Sequence, residues 1–145
     1  MTAPEFISLM QSRGAIIYPP YATRATELAN MNLQARRCAI MPVALREFYQ
    51  HAGGANLGNG YIFGPADVSR GALYPVPGIV RVNTDMSRAA PVLAGRTIFG
   101  RNDLFYFAFD AFGTFYMLNN LNFQTLKKYD DPFAAMSDCL MGGRC

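Results

Sequence analysis

Few side chains in this chain of 145 residues have the types and spacing to do chemistry. The only histidine, His51, closes an apolar run of helical period, so an imidazolium there would sit at a helix C-terminus, where backbone carbonyls favour positive charge. A catalytic histidine needs a nucleophile and an orienting acid, and the sequence places none of its serines or cysteines beside His51. Nothing resembles a nucleophile elbow. Asp103 and Asp110 are carboxylates that could share acid–base work, but seven residues of extended chain separate them by over ~20 Å, too far for a glycosidase-type pair. Asp110, just ahead of Gly113, is expected to form a turn, and Asp103 to lie at a strand edge or turn. Asp130-Asp131 before Pro132 suits a helix N-terminus better than a ligand pair. No close set of His, Asp, Glu and Cys has metal-ligand spacing, so no metal, cofactor or catalytic residue is expected.

Other segments invite a chemical reading and fit a structural one better. Gly53 to Gly60 is glycine-rich, but it follows a helical pattern instead of a strand and lacks the Lys-Ser/Thr of a phosphate-binding loop, so a helix stop running into a loop is expected. The aromatic run Leu104 to Phe109 invites comparison with sheets that stack RNA bases. Those strands have a basic lead, whereas this one lies between Asp103 and Asp110, which favours core packing. Cys38, Cys139 and Cys145 are odd in number and far apart, as expected of reduced thiols.

The elements that must position these residues follow from composition and period. With 51% hydrophobic and 16% charged residues, the chain suits one domain over residues 1–145, able to bury a core without staples. No apolar run reaches the ~18 residues of a membrane span, so a soluble cytoplasmic protein is expected. The net charge is +3, with 11 Arg to 2 Lys, and the arginines of the middle (Arg70, Arg81, Arg88, Arg96, Arg101) are scattered singly. That spacing gives weak support to a phosphate-tracking surface and suits bidentate contacts at a protein interface, so neither nucleic acid nor membrane is the expected partner.

Thr2-Ala3-Pro4-Glu5 is a capping box before a helix carrying Phe6, Leu9 and Met10 on one face, stopped by Gly14. Ile16 to Tyr21 is extended because of Pro19 and Pro20. A second helix starts at Thr23 with Leu28, Met31, Ala35 and Cys38 as its stripe, and a third at Pro42 with Leu45, Phe48, Tyr49 and Ala52, ended by Gly53-Gly54. Short extended pieces are expected at 61–63 and 97–99, with a short helix or turn at Thr84 to Ala90. Residues 104–109 and 114–118 read as a hairpin closed through Gly113, its first strand central and covered on both faces. A third strand runs from Phe123 to Tyr129, where Lys127 and Lys128 protect an edge, and Asp131-Pro132 opens a last helix with Phe133, Met136 and Leu140 inward. The order predicts an α+β fold: an antiparallel meander packed with N-terminal helices and a C-terminal helix.

Two blocks carry a family resemblance. Pro42 to Gly54 is similar to the Pro-x-x-Leu-x-x-Phe-Tyr…Gly-Gly helix and turn of SUKH-superfamily domains. Ile98-Phe99-Gly100, then Leu104 to Asp110 and Gly113 to Leu118, resemble that family's Phe-Gly…Phe-Ala-Phe-Asp…Gly-x-x-Tyr hairpin. With the closing helix the resemblance extends from about residue 39 to the C-terminus, while residues 1–38 match no pattern and residues 64–96 are unusually rich in Pro and Arg. The resemblance, to the Smi/Knr-type family, implies an α+β domain and, in the bacterial branch, an immunity protein that binds and neutralises a cognate polymorphic or contact-delivered toxin without catalysis. The alternatives are a regulatory interaction scaffold of the fungal cell-wall-regulator type and, less favoured, a small basic nucleic-acid binder. The expected partner-binding residues are Tyr61, Arg70, Tyr74, Arg81 and Arg88, in the irregular middle, because Tyr and Arg dominate interface hot spots. Oligomeric state is left open.

Overall fold

The computed structural model describes residues 1–67, 77–89 and 95–142, with the side chains of 87–89 excluded. Helix α1 spans Ala3–Ser12. Thr2 is its N-cap, the hydroxyl accepting from the Glu5 N–H at 3.3 Å, and Pro4 occupies the first turn, where a missing N–H costs nothing. Its buried face is Ala3, Phe6, Ile7 and Met10; Leu9, expected inside, is exposed, because the helix presents the stripe one position over to α3. A two-residue strand β1, Ile16–Ile17, follows.

Helix α2 covers Thr23–Ala35. The stripe expected there is displaced as well: Ala29 and Leu33 are buried while Leu28 and Met31 face out. The helix meets α4 and α3, and those long-range contacts set which stripe it buries. Cys38 lies beyond the helix and is half-buried. Helix α3, Val43–His51, follows Pro42 and buries Leu45, Phe48 and Tyr49 as expected. The Tyr49 hydroxyl donates to the Phe63 carbonyl and burial pushes its pKa up.

Among the described residues seven strands form an antiparallel sheet in the order β1 to β7: after β1 come β2 (Ala55–Leu57), β3 (Gly60–Ile62), β4 (Arg96–Arg101), β5 (Phe105–Asp110), β6 (Phe115–Asn119) and β7 (Thr125–Tyr129). The glycine-rich segment expected to be a loop is thus the tight hairpin β2–β3. Extended geometry there is stabilised by long-range pairing to β1 and β4, which local composition does not encode. Phe123, expected to open the last strand, instead has a positive φ of 60° in the turn before it. β7 is an edge strand, and Lys127 and Lys128 lie on it.

Helix α4, Ile79–Ala89, starts five residues ahead of the expected Thr84, directly after Gly78. It fills the edge that β4 exposes where β3 ends. The Asn83 amide donates to the Ile98 carbonyl at 2.8 Å, and its oxygen accepts from the Ile98 N–H at 2.7 Å, replacing a strand neighbour. Helix α5, Pro132–Met141, is capped by Asp131, which accepts from the Phe133 N–H, and ends at left-handed Gly142. It lies across one face of β2 to β7. Phe107, Phe109 and Phe115 fill that side with Phe99, which sits at a bulge in the β4–β5 ladder. Phe6 of α1 touches Phe48 of α3 and Phe133 of α5, so the N-terminal helices and the sheet share one core.

Candidate functional site

The residues with catalytic potential are held apart. His51 is exposed in the last turn of α3. Asp103 and Asp110 flank β5 at its opposite ends. Asp103 accepts from the Asn59 side chain at 2.6 Å, tying the β2–β3 turn to the β4–β5 connection. Asp110 is the turn former: its carboxylate accepts from the Phe112 and Thr114 N–H groups and from the Tyr116 hydroxyl. Burial raises its pKa, but those three hydrogen bonds and nearby Arg96 outweigh this, and the net shift is downward. The Tyr116 hydroxyl is pushed up, first by that hydrogen bond to Asp110 and then by burial. Both shifts move the groups away from neutrality, the direction opposite to the one a general acid or base near pH 7 requires.

The two described thiols are shifted away from the thiolate. Cys139 is fully buried, its Sγ facing the Tyr61 carbonyl at 3.2 Å, and burial pushes its pKa up. Cys38 is also raised by burial, against the opposing charge of Arg36. A reactive cysteine needs the reverse, a stabilised thiolate. Among the described residues no group of three or more His, Cys, Asp and Glu could hold a metal ion.

What the sheet does assemble is a display surface. Pairing registers set Asn56 opposite Tyr61, Tyr61 opposite Arg101, and Arg101 opposite Tyr106, so the three strand neighbours Tyr61, Arg101 and Tyr106 form a cross-strand row on the face away from α5. Gly100, one residue along, points the other way: a Cβ there would lie 2.6 Å from Cys139 Sγ, so the helix packs on that side only because the position is glycine. Ile98, Ala108 and Leu118 of the outer face are buried, whereas Tyr61, Tyr106 and Tyr116 are half-buried and Arg101 is exposed. Tyr106 stacks on Phe123, with centroids 5.4 Å apart, and Arg96 lies 4.2 Å over the Tyr116 ring. Tyr106 and Tyr116 are thus held by ring contacts of their own.

Beside the row is a hollow of about 330 Å³ between sheet and α4, lined by Tyr61, Phe63, Pro77, Val82, Asp85, Met86, Arg101 and Tyr106. Asp85 and Arg101 are both exposed and make no ion pair among the described residues. A larger groove, about 620 Å³, runs between the β2–β3 turn, residues 102–104 and the end of α5. Of its polar side chains, Asn59 holds Asp103, and Asn102 donates to the Cys139 carbonyl and accepts from the Leu104 and Phe105 N–H groups, while Arg13 is exposed and makes no ion pair among the described residues. That groove is a seam between elements with one guanidinium on its lining; the hollow offers both a carboxylate and a guanidinium beside aromatic rings.

Of the expected partner-binding residues, Tyr61 is in the row. Arg81 is on α4 but outside the hollow, where it pairs with Asp67 at 3.4 Å. Asp67 also accepts from the Gly78 N–H at 2.6 Å, so its carboxylate joins Gly78 and Arg81. Arg70 and Tyr74 lie outside the described residues, as does the side chain of Arg88. Arg101 and Tyr106 were not anticipated. The expectation that β5 is covered on both faces holds at Phe107, Ala108 and Phe109 and is corrected at Tyr106, where the outer face opens. The alternation of β5 places Tyr106 opposite the phenylalanines, but only the β3–β4–β5 register brings it to Arg101 and Tyr61.

No known family model matches the chain, and no curated protein is significantly similar to it. Among the described residues no helix is long and apolar enough to cross a membrane.

Proposed function

We propose that the protein is an immunity protein of SUKH type, which binds a cognate polymorphic or contact-delivered bacterial toxin domain in the cytoplasm and neutralises it without a reaction of its own. The observation that supports this most is the Tyr61–Arg101–Tyr106 row beside the hollow under α4. Tyr and Arg are enriched among the few residues that dominate interface energy, and a sheet backed by a helix loses little conformational freedom when it docks. The motif order from Pro42 to Leu140 supplies the biological class. Steric cover of a toxin needs a rigid surface, and the sheet is backed by α5 along β2 to β7.

The test is a pull-down from native lysate with the full chain as bait, followed by production of each stoichiometric partner alone and with the chain. The expected result is a partner that arrests growth by itself and ceases to do so when the chain is co-produced. If toxicity persists, or if the partners are harmless signalling or housekeeping proteins, the immunity reading falls, and the latter result favours the regulatory scaffold.

A further inference from the structure

The β2–β3 hairpin closes through Gly58 and Asn59, with Leu57 paired to Gly60. Each of these positions has a different reason for its residue. Gly58 takes the positive φ of the turn, +56°. Gly60 is required by the last turn of α5, since a Cβ there would lie 2.5 Å from the Cys139 carbonyl oxygen and 2.7 Å from that of Leu140. Asn59 is demanded neither by its backbone, whose φ is not positive, nor by burial, for it is exposed. Its side chain serves a contact instead: Nδ2 donates to Asp103 Oδ2 at 2.6 Å. Asn120 Nδ2 donates to the Asp103 backbone carbonyl at 3.1 Å, so the β2–β3 turn, the β4–β5 connection and the β6–β7 turn all meet at Asp103.

This arrangement joins an exposed asparagine to a glycine that close packing does not allow to be replaced. Asn59 is the only asparagine of the chain followed by glycine. A backbone nitrogen on a residue without Cβ is the least hindered nucleophile that the side-chain carbonyl of a preceding asparagine can meet.

We propose that Asn59 is a site of spontaneous covalent modification, deamidation through a cyclic imide with Gly60, and that its product turns the contact with Asp103 from attraction into repulsion. The Gly60 nitrogen bonds to the Asn59 side-chain carbonyl carbon, the bond from that carbon to Nδ2 breaks, and ammonia leaves with the proton of the Gly60 N–H. One water then opens the five-membered imide at either carbonyl, leaving a carboxylate on aspartate or on isoaspartate, the latter with an extra methylene in the main chain. Either product replaces the amide donor that faces Asp103 with a second carboxylate, and like charges in contact disfavour one another. The change is one-way, because the ammonia is lost to solvent. Asn59 lies two residues before Tyr61 and Asp103 two after Arg101, so the contact that is lost joins the chain ends of the row's own strands. The modification itself does not depend on the toxin reading.

Incubation of the full chain in mildly alkaline buffer at physiological temperature tests it, with samples taken over days. Tandem mass spectrometry of the tryptic peptide 47–70 reads the conversion, and labelling by an isoaspartate methyltransferase detects the rearranged product. The expected result is a gain of one dalton at Asn59 at least about tenfold faster than at Asn56 in the same peptide or at any other asparagine, since none of those precedes glycine. Asn59→Asp should lower the melting temperature by at least about 2 °C, and Asn59→Asp combined with Asp103→Asn, which exchanges donor and acceptor, should return it to within about 1 °C of wild type. The proposal is overturned by an Asn59 that stays unmodified, by conversion no faster there than at the other asparagines, by an unchanged melting temperature in Asn59→Asp, or by failure of Asp103→Asn to restore it.

Discussion

Asp110 shows how a residue that looks catalytic in a sequence becomes structural once its neighbours are placed. Its carboxylate collects two backbone N–H groups and the Tyr116 hydroxyl. Because the folded-state pKa is lowered, its stabilising contribution is fully present above the unfolded value of about 3.9 and is lost as pH falls through the folded value. Asp110→Asn keeps an oxygen for both N–H groups and removes the charge. Denaturant titrations from about pH 7 to about pH 3 should show a loss of no more than about 1 kcal/mol at neutral pH, since the group is partly solvated, and a shallower decline in acid than the wild type. An unchanged acid limb would mean that the hydrogen bonds do not discriminate between protonation states. The turn itself was legible, because Asp and Gly at that spacing have local reasons to bend the chain. The link to Tyr116 and Arg96 was not, since it depends on strand register.

At the scale of elements, the caps and stops of α1, α3 and α5 could be read directly, because Thr2, Pro42, Asp131 and the following glycines act within a turn of themselves. The buried faces of α1 and α2 could not, as Leu9 and Met31 are exposed by packing partners far away in the sequence. The same holds for β2, whose Ala-Asn-Leu has no intrinsic strand signal. Two substitutions probe element junctions that sequence alone conceals. Asn83→Ala leaves the Ile98 N–H and carbonyl unpaired in a buried place and should lower stability by about 2–4 kcal/mol, read from the denaturation midpoint at constant slope. A loss under about 0.5 kcal/mol would show that α4 does not seal the β4 edge. Gly100→Ala places a methyl group 2.6 Å from Cys139 Sγ and 2.7 Å from the Tyr61 carbonyl, with an expected cost of about 1–3 kcal/mol. Its thermal unfolding should shift down accordingly, and a neutral outcome would contradict the close seating of α5 on β4.

For the whole molecule, residues 1–38 resembled no pattern, yet they are part of the core. Phe6 lies 5.5 Å from Phe133 and 6.0 Å from Phe48, and Met10 and Leu33 are fully buried. The chain should therefore unfold as one unit, with tyrosine fluorescence and far-UV circular dichroism tracing coincident transitions. Phe6→Ala should cost about 3–5 kcal/mol, a large share of the roughly 5–15 kcal/mol of a domain this size. Separate transitions for helices and sheet would refute the single core. The α+β meander was legible from the order of aromatic runs, turns and helices. The binding face was legible only in part, since Tyr61 was expected there while its neighbours Arg101 and Tyr106 are brought to it by pairing across three strands.

That face carries the central claim, and isothermal titration of the recovered partner domain against wild type and the Tyr61→Ala/Tyr106→Ala variant tests it most directly. Both side chains are half-exposed, so the variant should retain the wild-type circular dichroism spectrum. The expected result is a loss of at least about 2 kcal/mol, roughly a thirtyfold rise in Kd. An unchanged Kd in a folded variant would contradict the assignment of this face to the partner.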